Sequence, residues 1–267
     1  IAGASVLPVP VDDDETLLRT VDTLCREARP APKALFLNYP HNPTTKTVSL
    51  PFFEEAVRLA KKHRFVIVHD FAYGRVTFDG YDAPSLLQVP GARDVAVEFG
   101  TLSKSYNMAG WRVGYCVGNG KIVEALGKIK GYYDYGLFQA IQIAAIVALR
   151  DCEDFIEEQV KVYEKRRDVL CDGLNALGWP VEKPKASMFV WARIPEPFRE
   201  MGSLDFSMRL IEEAEVVLSP GIGFGPEGEG YLRIALVENE QRIRQALRQL
   251  RRVTNGAADR TASASSF

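Results

Sequence analysis

"ALFLNYPHNPTTKTVSLPFFEEAVRLAKKHRFVIVHD", Ala34 to Asp70, places two short apolar runs on either side of a helical pattern. Residues 34–37 and 65–68 are rich in β-formers and lack polar alternation, as buried parallel strands do. Between them Ser49 offers a cap, Pro51 an early proline, and Glu54 and Glu55 acids for the first turn. Phe53, Ala56, Val57 and Ala60 then share one face. Strand, helix and strand at this spacing read as a βαβ unit with a right-handed crossover.

The same rhythm extends outward. Residues 95–99 form a third strand pattern and 113–117 a further one, ended by Gly118-Asn119-Gly120. Ile122, Val123, Leu126 and Ile129 mark the helix after it. A long helix follows from about Asp151, with Ile156, Val160, Tyr163, Leu170, Leu174 and Leu177 in helical register until Gly178-Trp179-Pro180 stops it. Beyond it, residues 189–194, 216–219 and 232–236 read as strands. A helix near 204–214 separates the first two, and a closing helix puts Ile243, Ala246, Leu247 and Leu250 on one face. The chain therefore reads as α/β. Residues 1–150 form a large domain with a mostly parallel sheet and flanking helices, 151–178 a connecting helix, and 179–253 a smaller α+β domain. Residues 254–267, small and polar, read as a disordered tail.

Composition bounds the function. The 267 residues are 46% hydrophobic, enough to bury a sizeable core, and 33 basic against 35 acidic residues give a formal charge of −2. Short basic runs such as Lys165-Arg166-Arg167 lie in helical patterns, so nucleic acid is not expected as a partner. No apolar run is long enough to span a bilayer. The four cysteines are scattered without a CxxC pair, which suggests neither a metal site nor a disulfide framework and fits reduced thiols in a cytoplasmic setting.

Three polar residues follow the carboxyl ends of successive strands: Asn42, Asp70 and Lys104. In an open parallel sheet those ends border the ligand crevice. An amide, a carboxylate and an amine could converge there, or Lys104 and Asp70 could form a buried ion pair, which is costly without a use. Gly100, Gly110 and Gly114 around Lys104 suggest close backbone approach.

Asn42-Pro43-Thr44, Asp70-Phe71-Ala72-Tyr73, Ser103-Lys104 and Arg112-Val113-Gly114 resemble the signatures of the class I/II aminotransferases, the fold-type-I enzymes that use pyridoxal 5′-phosphate. "VHDFAY", "GARDVAVEFGTLSKSYNMAGWRVG", "PKASMFVWARIPE" and "SPGIGFG" are most similar to the alanine (glutamate–pyruvate) aminotransferase group that adjoins the LL-diaminopimelate aminotransferases. The resemblance covers about residues 3–252. It implies that Lys104 condenses with the cofactor aldehyde and later moves a proton at the substrate Cα. It implies that Asp70 keeps the pyridine nitrogen protonated and that Asn42 and Tyr73 hydrogen-bond the phenolic oxygen. Arg112, with Thr101 or Ser103, would anchor the phosphate. Arg233 in "GYLRIALVENE" would clamp the substrate α-carboxylate, with Asn42 beside it, against the alternative of an exposed strand arginine.

The implied activity is transfer of an amino group between an amino acid, alanine favoured, and a 2-oxo acid such as 2-oxoglutarate or pyruvate, in a homodimer. The alternatives are an LL-diaminopimelate aminotransferase or a truncated, non-catalytic fragment. The family has a segment ahead of the point that resembles Ile1, carrying a phosphate-gripping loop and the aromatic ring that stacks on the cofactor. Neither is found here. Thr101 stands where the family has serine or glycine, and Thr45 where many relatives have glycine. His69, by alternation, faces away from the Asp70 side of its strand. His41 and His63 have no metal-ligand spacing. Trp111 and Tyr106 read as packing the Lys104 turn, and Tyr132-Tyr133-Asp134-Tyr135 as interface packing or as reaching a neighbouring site.

Overall fold

The computed structural model describes residues 3–11 and 13–264. The chain divides into two compact units: Ile1–Tyr39, Val48–Gly74 and Ala83–Asp151 in the first, and Pro40–Thr47, Arg75–Asp82 and Cys152–Phe267 in the second.

The first unit opens on α1 (Asp14–Glu27), a helix not expected from the apolar pattern because it buries only Leu17 and Val21. Asp13 caps it by accepting the Thr16 N–H at 2.8 Å, and Asp14 and Glu15 lie in its first turn. Next come β1 (Ala34–Asn38), α2 (Leu50–His63) and β2 (Val66–Asp70), which form the expected βαβ unit with β1 and β2 parallel. Two details differ. The Ser49 side chain makes no capping bond, and Glu54 and Glu55 lie beyond the first turn, so α2 rests on Pro51 and its apolar face. Phe53, Ala56 and Ala60 on that face are fully buried. The Asp22 carboxylate of α1 accepts from both Lys62 and His63 of α2 at 2.7 Å, which holds it well below the usual carboxylate range.

The sheet continues with β3 (Ala96–Thr101), parallel to β2, and β4 (Gly114–Gly118), antiparallel to β3. Its order is β1-β2-β3-β4. A chain that returns within 102–113 has no room for a crossover helix, so β4 runs antiparallel. The short helix α3 (Leu102–Ser105) lies in that return. Beyond β4, α4 (Gly120–Tyr133) buries no residue, and α5 (Gln139–Asp151), a second unexpected helix, buries only Ala145 and Ala148.

The second unit begins its main run with α6 (Glu153–Ala176), two residues later than expected because α5 occupies the preceding stretch. Gly178, at φ +75°, ends it. β5 (Phe189–Arg193), α7 (Ser203–Ala214), β6 (Ser219–Pro220) and β7 (Tyr231–Ala235) follow. The three strands form an antiparallel sheet in the order β5-β7-β6. β6 keeps only Ser219 of the expected 216–219 and continues into Pro220, where the missing N–H limits further pairing. The last helix, α8 (Glu240–Ala264), runs into the stretch expected to be a tail. Its alanines and arginines favour helix and no proline stops it. Residues 265–267 of that stretch lie outside the described residues.

Arg167 of α6 is the polar centre of this unit. Its side chain is 2% exposed, yet it donates to Asp79, to Asp168 and to the Pro184 carbonyl, with its guanidinium carbon 4.9 Å from the Phe78 ring centre. These bonds tie the 75–82 segment to the helix. Replacing Arg167 by alanine leaves the Pro184 carbonyl without its donor beside a void, and should cost about 2–3 kcal/mol in a chemical denaturation midpoint series.

Candidate active site

Parallel pairing places Asn38, Asp70 and Phe99 side by side across β1, β2 and β3. Asp70 is the last residue of β2 and is exposed. Its carboxylate accepts the Ala72 N–H at 3.1 Å, and its carbonyl accepts the Asn38 side-chain amide at 2.9 Å. Lys104 lies on α3, directly after β3, so carboxylate and amine leave the same edge of the sheet. They are not an ion pair among the described residues. Instead the Lys104 Nζ lies 6.0 Å from the ring centre of Tyr73, which is buried.

Thr101 makes the Lys104 turn possible. Its Oγ1 accepts the Ser103 N–H at 3.1 Å and donates to the Val113 carbonyl at 3.3 Å, capping α3 and fastening it to β4. That hydroxyl is therefore engaged, whereas the Ser103 hydroxyl has no hydrogen-bond partner among the described residues. Arg112 is exposed, sits in the left-handed region at φ +52°, and donates to the Ala109 carbonyl at 3.0 Å.

Two of the three glycines around this turn do lie at a close approach. A Cβ on Gly100 would collide with the Tyr115 ring across the β3–β4 pair, and one on Gly114 would lie 2.7 Å from the Gly100 carbonyl oxygen. The close approach there is by the protein's own ring and backbone. Gly110 has open space around it. Tyr106 packs against the cluster of Leu102 and Val113 as expected, but Trp111 is half-exposed.

In the second unit Arg233 projects from the central strand β7, opposite Trp191 of β5 and Ser219 of β6. Its guanidinium carbon lies 4.2 Å from the Phe189 ring centre and 4.4 Å from that of Phe224, and Nη1 donates to the Asn42 side-chain oxygen at 2.7 Å. Two aromatic faces and one amide acceptor fix the fork in place. Arg233 is therefore not a freely exposed strand arginine: it is only partly exposed and is held by named partners. Phe189 and Phe224 lie within "PKASMFVWARIPE" and "SPGIGFG", but nothing in their spacing announces that they flank Arg233. The loop bearing Phe224 needs its glycine at 221, where a Cβ would meet the Gly228 and Tyr231 carbonyl oxygens.

The Asn42 loop carries two further features. Thr45 has φ +60°, the conformation for which glycine is favoured at that position. His41 bonds the Thr44 hydroxyl at 2.6 Å. Burial, helped by the Lys46 charge, pushes its imidazole down to about 4. No cluster able to hold a metal occurs among the described residues.

The chain belongs to the aminotransferases of class I and II: residues 1–250 match the family described as "Aminotransferase class I and II", which uses pyridoxal 5′-phosphate. It is 53% identical over 251 residues to a glutamate-pyruvate aminotransferase, AlaC, of Escherichia coli (strain K12), covering 94% of this chain and 61% of that protein. It is 42% identical over 253 residues to an LL-diaminopimelate aminotransferase of Moorella thermoacetica, covering 95% and 64%. Among solved structures, substrate-bound BacF from Bacillus subtilis matches with a TM-score of 0.81 at 34% identity, over 86% of this chain and 59% of that one. A probable N-succinyldiaminopimelate aminotransferase from Thermus thermophilus matches with 0.82 at 34%, over 93% and 65%. The chain thus spans about three fifths of the length of these relatives.

Because the folded His41 value lies below the ordinary histidine value, the unfolded chain binds more protons between the two. Stability should therefore fall as pH drops from about 6.5 to about 4. A histidine NMR titration should show one midpoint near the lower value, and His41→Gln should flatten the pH dependence of the melting temperature over that interval.

Proposed function

We propose that this chain carries out pyridoxal-phosphate-dependent transamination between an amino acid, alanine favoured, and a 2-oxo acid of the 2-oxoglutarate or pyruvate type. The observation that carries the reading is Lys104, presented on a capped turn beside the Tyr73 ring and leaving the same sheet edge as Asp70. An amine, a carboxylate, a free hydroxyl and a guanidinium suit an aldehyde, a pyridine nitrogen and a phosphate, so the donor set fits the cofactor.

When bound, the cofactor supplies an aldehyde carbon and an electron-accepting ring. Lys104 Nζ is the group that holds it covalently and, once freed, moves a proton at the substrate Cα. The Asp70 carboxylate holds the proton on the pyridine nitrogen. Tyr73 and Asn42 donate to the phenolic oxygen, and Arg112 with Ser103 or Thr101 binds the phosphate. Arg233 binds the substrate α-carboxylate, its plane already set by Phe189 and Phe224.

The preference for alanine rests on the similarity to the glutamate-pyruvate enzyme. LL-diaminopimelate is the second reading, supported by relatives of that name. A homodimer is part of the proposal, supported by the apolar side chains that α4 and the loop after it leave in solvent: Ile129, Tyr132, Tyr133, Tyr135 and Phe138 are all more than half exposed. A cytoplasmic setting fits the four free cysteines.

Added pyridoxal phosphate should give a visible band that alanine bleaches and a 2-oxo acid restores, and Lys104→Ala should abolish it. A band that survives Lys104→Ala would overturn the assignment. Loss of the band with LL-diaminopimelate but not with alanine would favour the second reading. Arg233→Lys keeps the charge but loses the fork and the stacking, so KM for both substrates should rise by about tenfold or more with a smaller change in kcat.

A further inference from the structure

We infer that the buried pair His69–Glu98 is a positioning device for Asp70; the inference rests on the proposed cofactor role of Asp70. His69 is fully buried and Glu98 nearly so. They stand side by side on β2 and β3 in the sheet register, on the face opposite Asp70. Nδ1 of His69 lies 3.0 Å from Glu98 Oε2, and Nε2 lies 3.1 Å from the carbonyl oxygen of Tyr39, just beyond β1. A carbonyl only accepts, so Nε2 carries a hydrogen, and one more hydrogen lies between Nδ1 and Oε2. Glu98 in turn accepts from the Ser85 hydroxyl at 2.8 Å and the Leu86 N–H at 2.9 Å. The imidazole is edge-on to Phe53 of α2 and tilted against Phe71.

One side-chain pair therefore joins the exit of β1, the end of β2, β3 and the turn at residues 85–87. Asp70 is the residue immediately after His69. On its own face its side chain and carbonyl have one bond each, to Ala72 and Asn38. A pair of apolar side chains could fill this interior at least as favourably. What two aimed hydrogen bonds add is a single lateral position for the strand end, and a carboxylate that must meet a ring nitrogen needs its backbone held to a fraction of an ångström. His69 and Glu98 touch no reacting atom; they act through Asp70.

Glu98→Ala should weaken pyridoxal phosphate binding about tenfold and move the pH midpoint of the visible band upward by about one unit, because a displaced Asp70 no longer secures the pyridine proton. Glu98→Gln, whose amide can serve either His69 Nδ1 as donor or the Leu86 N–H as acceptor at the Oε2 position, should restore both in part. In the cofactor-free protein the Ala72 amide, which reports the Asp70 carboxylate, should exchange about tenfold faster in Glu98→Ala than in wild type, with Glu98→Gln between the two. If Glu98→Ala does not fold, His69→Gln, which can reach only one of the two acceptors, should move all three readings the same way. Binding within twofold and an unmoved midpoint in a folded Glu98→Ala, a Glu98→Gln no better than Glu98→Ala, or unchanged Ala72 exchange would overturn the inference. A wild-type chain that forms no visible band would defeat the proposed function alone, and the Ala72 exchange would still decide the role of the pair.

Discussion

Parallel pairing of β1, β2 and β3 is the constraint on which the first unit depends. Because the three strands run the same way, their carboxyl ends share one edge, and whatever follows each strand is delivered there. Asp70 ends β2 and Lys104 sits one short turn beyond β3. The antiparallel β4 then closes the turn, with Thr101 of β3 paired to Gly114 and its hydroxyl bonded to the Val113 carbonyl. Chemistry and fold are inseparable here: the residues that end the strands are the residues that would act.

The βαβ unit was legible because it depends on local periodicity. Apolar runs and the Phe53–Ala60 face are readable without any knowledge of their partners. The helices α1 and α5 were not, since they bury few residues and so leave a weak periodic signal. Lys104, Asp70 and Arg233 stand out in the sequence as candidates through motifs, but the rings on Arg233 do not. Phe189 is 44 residues before Arg233 in the chain and Phe224 nine; strand register brings the first to it and the fold of the 221–224 turn the second. What approaches the glycines was hidden for a related reason. Gly100 needs its lack of a side chain because Tyr115 lies over it, a cross-strand relation that no linear spacing reveals.

The second unit solves a different physical problem. A guanidinium proposed to take a small anion must be kept planar and correctly aimed before the anion arrives. Stacking against Phe189 and Phe224 restrains the plane without consuming the N–H donors, and Asn42 takes one of them. Arg167 shows the opposite use of the same side chain. There the donors are engaged by Asp79, Asp168 and Pro184, and the group serves as an internal rivet. Two arginines in one unit thus differ in role because of what surrounds them.

The helix α4 has a consequence for dynamics. With no fully buried residue and only Ile122, Val123 and Leu126 partly covered, it is held largely by its own backbone ladder and the Asn119 cap. Its amides would open by local fraying, independently of the unfolding that governs the Phe53–Ile67 core. The protection of α4 against solvent exchange is thus set apart from that of the sheet, and any cover of its exposed face would register there before a change appeared in the sheet.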